Sequence, residues 1–133
     1  MSKSVLVVDD IDDMRYLVVW AIGNDDRFDV VAEAADGATA VDLARDHQPD
    51  VVLLDLEMPW MSGAECLPLI RRAAPGAVVV IWTVEPTGRR AASALELGAV
   101  AVLDKAHTPA SVVPDRLAAL LDEAHPGGGH RPA

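Results

Sequence analysis

The chain has 133 residues, which suits one domain, and 51% of them are hydrophobic, enough for a buried core. Its formal net charge of −10 argues against direct binding to nucleic acid or to an anionic membrane, since both need clustered lysine and arginine. Its one cysteine, Cys66, excludes an internal disulfide, and no apolar run approaches the roughly 20 residues of a membrane span. We therefore expect a soluble cytoplasmic domain.

Short valine-rich runs alternate with segments of helical periodicity along the chain. This pattern is typical of βα units around a parallel sheet, and the continuous hydrophobicity of the runs indicates that both sheet faces are covered. The predicted strands are residues 4–8, 28–32, 51–54, 78–82 and 100–103. The predicted helices are residues 12–23, 37–47, 64–73, a segment after Pro86 that ends at Gly98, and part of 109–124.

Two prolines restrict where the helices begin. Pro68 is compatible with the third helix only in its first turn, and Pro114 predicts either a kink in the last helix or a start near Val113.

In the first helix, the spacing of apolar residues predicts an inward face, and Trp20 and Trp82 are expected in the core. The residues predicted to form that inward face are Met14, Leu17, Val18 and Ala21.

The end of the chain differs in composition from the rest. Residues 125–133 are rich in glycine and proline, as linkers are. We therefore assign residues 1–124 to the domain and residues 125–133 to a mobile C-terminal tail or the start of a linker.

Polar side chains follow four of the predicted strands. Asp9 and Asp10 follow the first, Asp55 the third, Thr83 the fourth and Lys105 the fifth. The carboxyl ends of parallel strands meet at one edge of the sheet, where ligands bind in open α/β folds. The sequence therefore predicts that these side chains converge.

Three converging carboxylates need a cation. Each pair would repel by roughly 4 kcal/mol at 4 Å and an effective dielectric near 20. Carboxylate oxygens without histidine or cysteine neighbours favour Mg²⁺. A divalent ion beside Asp55 would prepare it for attack on phosphorus, with Thr83 and Lys105 placed to bind phosphoryl oxygens.

These residues in this order, with Met58-Pro59 and Gly63 after Asp55, resemble the receiver domain of bacterial response regulators, the phosphoacceptor half of two-component signalling. The resemblance covers about residues 3–124. It implies a flavodoxin-like α/β fold, a doubly wound five-stranded parallel sheet of order 2-1-3-4-5 flanked by five helices. It also implies a signalling phosphoacceptor that assists only its own phosphorylation and dephosphorylation, not a turnover enzyme.

The resemblance assigns a role to each site residue. Asp55 would be phosphorylated by a histidine kinase or phosphotransfer protein, Thr83 would be the switch hydroxyl and Lys105 the phosphate-binding lysine. The ligands implied for Mg²⁺ are Asp10, Asp55 and the backbone carbonyl of Glu57, with Asp9 acting mainly through metal-bound water.

The resemblance also implies how the signal leaves the site. Phosphorylation would move the face formed by helix 4, strand 5 and helix 5, which would bind an output domain, a partner protein or a second copy. This chain has Val102 where many relatives carry Tyr or Phe, Val84 where Ala or Gly is frequent, and Ala106 where proline is usual. Val102 would alter how the output is signalled, Val84 would narrow the approach to Asp55, and Ala106 would make the loop that carries Lys105 more mobile.

Two alternatives stay open. A pseudo-receiver that acts only as a protein-interaction module would fit Val84 and Val102. A haloacid-dehalogenase-type phosphohydrolase also uses a strand-end aspartate, but that family has a second aspartate where this chain has Glu57.

Trp60, in the loop after Asp55, is expected to be exposed near the metal.

Overall fold

The computed structural model of the chain describes residues 2–58, 61 and 63–124. The expectations for Trp60 and for residues 125–133 lie outside this range. The elements in chain order are β1 (Lys3–Val8), α1 (Asp12–Gly23), β2 (Phe28–Ala34), α2 (Gly37–His47), β3 (Val51–Leu54), α3 (Gly63–Ala73), β4 (Val78–Thr83), α4 (Arg89–Glu96), β5 (Ala101–Asp104) and α5 (Val113–Ala124). A short 3-10 helix, Ala110–Val112, leads into α5.

The five described strands form one parallel sheet in the order β2-β1-β3-β4-β5. The register pairs Val8 with Leu54 and Leu54 with Ile81, so β1, β3 and β4 run level towards their carboxyl ends. At the edge of the sheet, Thr83 pairs with Asp104 of β5. The predicted fold class and strand order are confirmed.

Alternate residues of the strands build a core on each face of the sheet. One face packs against α2, α3 and α4, and the other against α1 and α5. The first core includes Leu6, Val52, Leu54, Val79, Ile81, Ala40, Leu67, Ile70 and Ala94. The second core includes Val5, Val7, Leu53, Val80, Trp82, Leu103, Val18, Ile22 and Leu117. Strands buried on both sides explain the continuous apolar runs.

The predicted inward face of α1 is wrong in part. Val18 and Ile22 are fully buried, but Leu17 is 52% exposed and Trp20 is 64% exposed. Residues 16–22 are apolar almost without interruption, so their periodicity does not fix which side of the helix faces the sheet. The expectation that Trp20 lies in the core is therefore also wrong, whereas Trp82 is buried as predicted.

The prediction for Pro68 is wrong, and the prediction for Pro114 is confirmed. Pro68 lies inside α3, beyond the first turn, where it leaves the Ala64 carbonyl without its helical donor. The fully buried side chains of Cys66, Leu67 and Ile70 stabilise the helix despite that loss. The predicted start of α5 near Val113 is confirmed, with Pro114 in the first turn.

The fourth helix starts after a bend and ends as predicted at a glycine. Gly88, with φ of 123°, precedes α4, and Gly98, with φ of 112°, follows it. Both conformations favour glycine. Among the described residues, no helix has the length and apolar character needed to cross a membrane.

Candidate functional site

Asp9 lies at the carboxyl end of β1 and is 1% exposed. Its backbone N–H donates to the Ala34 carbonyl at 3.0 Å, which extends the pairing of β1 with β2 by one residue. Its Oδ1 accepts from the Ile11 N–H at 2.9 Å, and its carbonyl accepts from Arg15 Nη1 at 2.7 Å. These bonds fix the loop that carries Asp9 and Asp10.

Asp55 follows β3, next to Asp9 in the sheet. Its backbone N–H donates to the Val8 carbonyl at 3.0 Å, and its Oδ1 accepts from the Glu57 N–H at 3.1 Å. The residue is 3% exposed. One carboxylate oxygen from each of Asp9, Asp10 and Asp55 lies within 4.8 Å of the others, so the predicted convergence of the three carboxylates is present.

Lys105 brings a positive charge to this cluster. Its backbone N–H donates to the Thr83 carbonyl at 2.8 Å, which holds the start of the loop after β5 against β4. Its Nζ lies 2.6 Å from Asp9 Oδ2 and 3.4 Å from Asp55 Oδ2, with the side chain only 4% exposed. Lys105 therefore pairs mainly with Asp9, a contact that the sequence did not predict.

Thr83 ends β4 and is fully buried. Its Oγ1 donates to Glu57 Oε2 at 3.4 Å, a long hydrogen bond. Both residues line a cavity of about 500 Å³, together with Leu56, Glu85, Thr87, Gly88, Arg89, Arg90 and Ala91. Thr83 and the Glu57 carboxylate that it contacts therefore both border this cavity.

Burial raises the pKa of Asp55 from its ordinary value of 3.8 to about 6. The cause is loss of solvation of the charged form, to which the Asp9 carboxylate adds, while Lys105 and the Glu57 N–H act in the opposite direction. The carboxylate of Asp55 is thus costly to ionise in this site, and any added cation would lower that cost.

The donor set fits a hard divalent cation. Three carboxylates face one lysine, which leaves excess negative charge in a buried site. Asp10 Oδ1 is buried and has no hydrogen-bond partner among the described residues. Burying a carboxylate oxygen without a partner is unfavourable, and oxygen ligands of this kind are those that Mg²⁺ binds. The site can therefore hold such an ion.

Trp82 is a site neighbour whose contacts sequence reasoning missed. Its indole Nε1 donates to the Thr108 carbonyl at 2.9 Å, and Lys105 Nζ lies 5.0 Å from the ring centroid. The signal available in the sequence was its place directly before Thr83, on the strand next to the lysine's strand. The apolar run that contains Trp82 predicts burial in the core but not these contacts.

The three departures from the family pattern have different surroundings. Val102 is partly buried against the core under α4, and Val84 is 56% exposed. Ala106 donates its N–H to Asp104 Oδ1 at 2.8 Å. Their effects on switching, access and loop mobility stay predictions.

Comparison with known proteins gives a consistent result. Residues 5–114 match the family model described as the response regulator receiver domain. A protein-glutamate methylesterase/protein-glutamine glutaminase of Pyrococcus abyssi is 38% identical over 120 residues, which are 90% of this chain and 32% of that protein. The chain thus spans about a third of the length of this curated relative.

Solved structures share the fold along most of the chain. The response regulator domain of Thermotoga maritima CheB is 31% identical, with a TM-score of 0.77, and the match covers 99% of this chain and 100% of that one. In a CheX-CheY-BeF₃-Mg²⁺ complex of Borrelia burgdorferi, the matched chain is 26% identical, with a TM-score of 0.79. That match covers 90% of this chain and 89% of that one.

Proposed function

The chain belongs to the response regulator receiver domain family, a family of signalling phosphoacceptors, and we propose that its phosphoacceptor is Asp55, with a histidine kinase or phosphotransfer protein as donor. One observation carries this assignment. The carboxylates of Asp9 and Asp10 and the buried ammonium of Lys105 lie beside the Asp55 carboxylate, and the buried Thr83 hydroxyl ends the neighbouring strand β4.

The transfer is a nucleophilic displacement at phosphorus. An Asp55 oxygen forms the new bond to phosphorus as the bond to the donor's leaving group breaks, and the leaving group keeps that electron pair. Because its pKa is about 6, Asp55 is mostly ionised at neutral pH, as a nucleophile must be. Lys105 Nζ, 3.4 Å from Asp55 Oδ2, is near enough to contact an incoming phosphoryl oxygen.

We assign Mg²⁺ to the acidic cluster. Asp10, Asp55 and the backbone carbonyl of Glu57 would hold the ion, with Asp9 acting through metal-bound water. When bound, the ion neutralises charge on the nucleophile and on the transferred group. The unpartnered Asp10 Oδ1 supports this assignment, as does the presence of Mg²⁺ in the complex of the similar Borrelia protein.

The signal would leave through Thr83. A phosphoryl group adds about −1.5 to −2 charges, so the Thr83 hydroxyl would turn from Glu57 towards it. Thr83 neighbours Lys105 of the loop after β5 and shares a cavity with the start of α4. The face formed by α4, β5 and α5 would then change its affinity for an output domain, a partner protein or a second copy. We place this switch in the cytoplasm.

Intact mass spectrometry tests the assignment. The protein is incubated with Mg²⁺ and acetyl phosphate, and Asp55→Asn is the matched control because it removes the nucleophile at nearly constant shape. The proposal requires a phosphoryl label on the wild type and none on the control. A label that persists in Asp55→Asn refutes it, no label in either favours the pseudo-receiver, and steady release of phosphate from phosphomonoesters favours a phosphohydrolase.

A further inference from the structure

Trp82 makes contacts outside the core as well as packing within it. It precedes Thr83 in β4 and is 1% exposed. Successive strand residues point to opposite faces, and the Trp82 side chain belongs to the core on the α1 and α5 side, which also contains Val80, Leu103 and Val113. The ring and its N–H make two further contacts, and both lead to Lys105.

The indole N–H fixes the far end of the loop that carries Lys105. It donates to the Thr108 carbonyl at 2.9 Å in a buried hydrogen bond. The Thr108 N–H in turn donates to the Asp104 carbonyl at 2.7 Å, which closes residues 104–108 into a tight turn. The near end is fixed by the bond from Lys105 N–H to the Thr83 carbonyl at 2.8 Å. Adjacent residues of β4 therefore hold both ends of the loop.

The ring itself contacts the charge. Lys105 Nζ lies 5.0 Å from the ring centroid, within the range in which an aromatic face attracts a cation. That attraction is strongest where water is excluded, and the lysine side chain is only 4% exposed. The ammonium is thus held by the ring as well as by the carboxylates of Asp9 and Asp55.

We propose that Trp82 is a positioning residue for phosphoryl transfer, whose ring and N–H hold the Lys105 ammonium beside Asp55. The inference rests on the proposed function of Asp55. During transfer, the Lys105 ammonium would shift from Asp9 towards an incoming phosphoryl oxygen at Asp55. The broad ring face keeps the ammonium near Asp55 during that exchange.

The first test compares rates of phosphorylation by acetyl phosphate and Mg²⁺. Trp82→Leu, which lacks both the ring and the N–H, should be slowed by about tenfold. Trp82→Phe, which keeps a ring face, should lie between it and the wild type. Val80→Ala is the matched control, since Val80 lies on the same strand and face. It should lose stability at an unchanged rate.

A double-mutant cycle separates positioning from mere structure. If Trp82 acts through Lys105, Trp82→Leu should cause no further slowing in a Lys105→Met background. Equal slowing in both backgrounds overturns the proposal, as does an unchanged rate of Trp82→Leu in a protein whose wild type is labelled.

Fluorescence tests the contact independently of phosphorylation. With Trp20→Phe and Trp60→Phe, the remaining emission comes from Trp82, and Lys105→Met should change its intensity because the cation leaves the ring. Unchanged emission overturns the contact and the role built on it. This result does not depend on any label. An unlabelled wild type with altered emission therefore counts against the Asp55 assignment and supports the placement of Lys105 by Trp82.

Discussion

Replacing Asp55 with asparagine should stabilise the domain against unfolding at neutral pH and have much less effect in acid. The native pKa of about 6 lies above the ordinary 3.8, because the buried site disfavours the charged carboxylate. A group whose pKa is raised in the native state contributes its full stability below the unfolded value and loses it as pH rises through the native value. Asp55 therefore destabilises the fold above about pH 6.

The size of the effect follows from the two pKa values. The interval from 3.8 to about 6 corresponds to about 3 kcal/mol, at about 1.36 kcal/mol for each pH unit. Most of this develops between about pH 4 and pH 7, where the stability difference between the two proteins should change by about 2 kcal/mol.

Urea unfolding of both proteins without Mg²⁺, at about pH 4 and pH 7, measures this difference. Subtraction cancels the titrating groups remote from the site, so the remaining pH dependence reports Asp55 together with its coupled neighbours Asp9 and Lys105. The free energy of unfolding of Asp55→Asn should increase relative to that of the wild type as pH rises. An equal difference at both pH values, or a gain in acid, would refute the reasoning about burial.

The structure also predicts the effects of adding Mg²⁺ and of three further substitutions. Mg²⁺ should raise the Tm at neutral pH and much less at pH 5, because the protonated Asp55 carboxyl no longer serves as a ligand; equal increases in a thermal scan would contradict this. Gly98→Ala should destabilise by about 1–3 kcal/mol in urea unfolding, mainly because φ is 112°, a conformation that side chains with a Cβ rarely adopt, and also because the new Cβ would displace the Arg71 guanidinium; wild-type stability would contradict it. Glu57→Ala should change the lifetime of the phosphoryl label, because it removes the carboxylate that contacts the Thr83 hydroxyl, while stability stays within about 0.5 kcal/mol; equal lifetimes in the two proteins would contradict this. Trp20→Gln should also stay within about 0.5 kcal/mol, because Trp20 is 64% exposed; a large loss would place it in a core.

Sequence patterns predicted the architecture well because the strands are buried on both faces. Four or five apolar residues in succession between turn residues are typical of such strands, and helix limits followed from Gly98 and from Pro114. The rotation of α1 was not predictable in the same way. Tyr16, Leu17 and Trp20 are as apolar as the residues that face the sheet, so only the packing against β2 and α5 decides which side is buried.

At the site, residue types and strand-end positions were enough to predict that the three carboxylates and the lysine lie close together. They were not enough to predict which carboxylate the lysine contacts most closely. Lys105 contacts Asp9 more closely than Asp55, and it does so over the ring of Trp82. That preference depends on a difference of less than 1 Å between the two distances from Lys105 Nζ, 2.6 Å and 3.4 Å, which no spacing in the sequence encodes.

The most direct test of the central claim is to locate the phosphoryl group chemically. An aspartyl phosphate is an acyl phosphate, which borohydride reduces to the alcohol, so a labelled aspartate becomes homoserine. After incubation with Mg²⁺ and acetyl phosphate, borohydride treatment and digestion, peptide mass spectrometry should find homoserine at residue 55. Homoserine at Asp9 or Asp10 instead, with residue 55 unchanged in a protein that carries the label, would contradict the account.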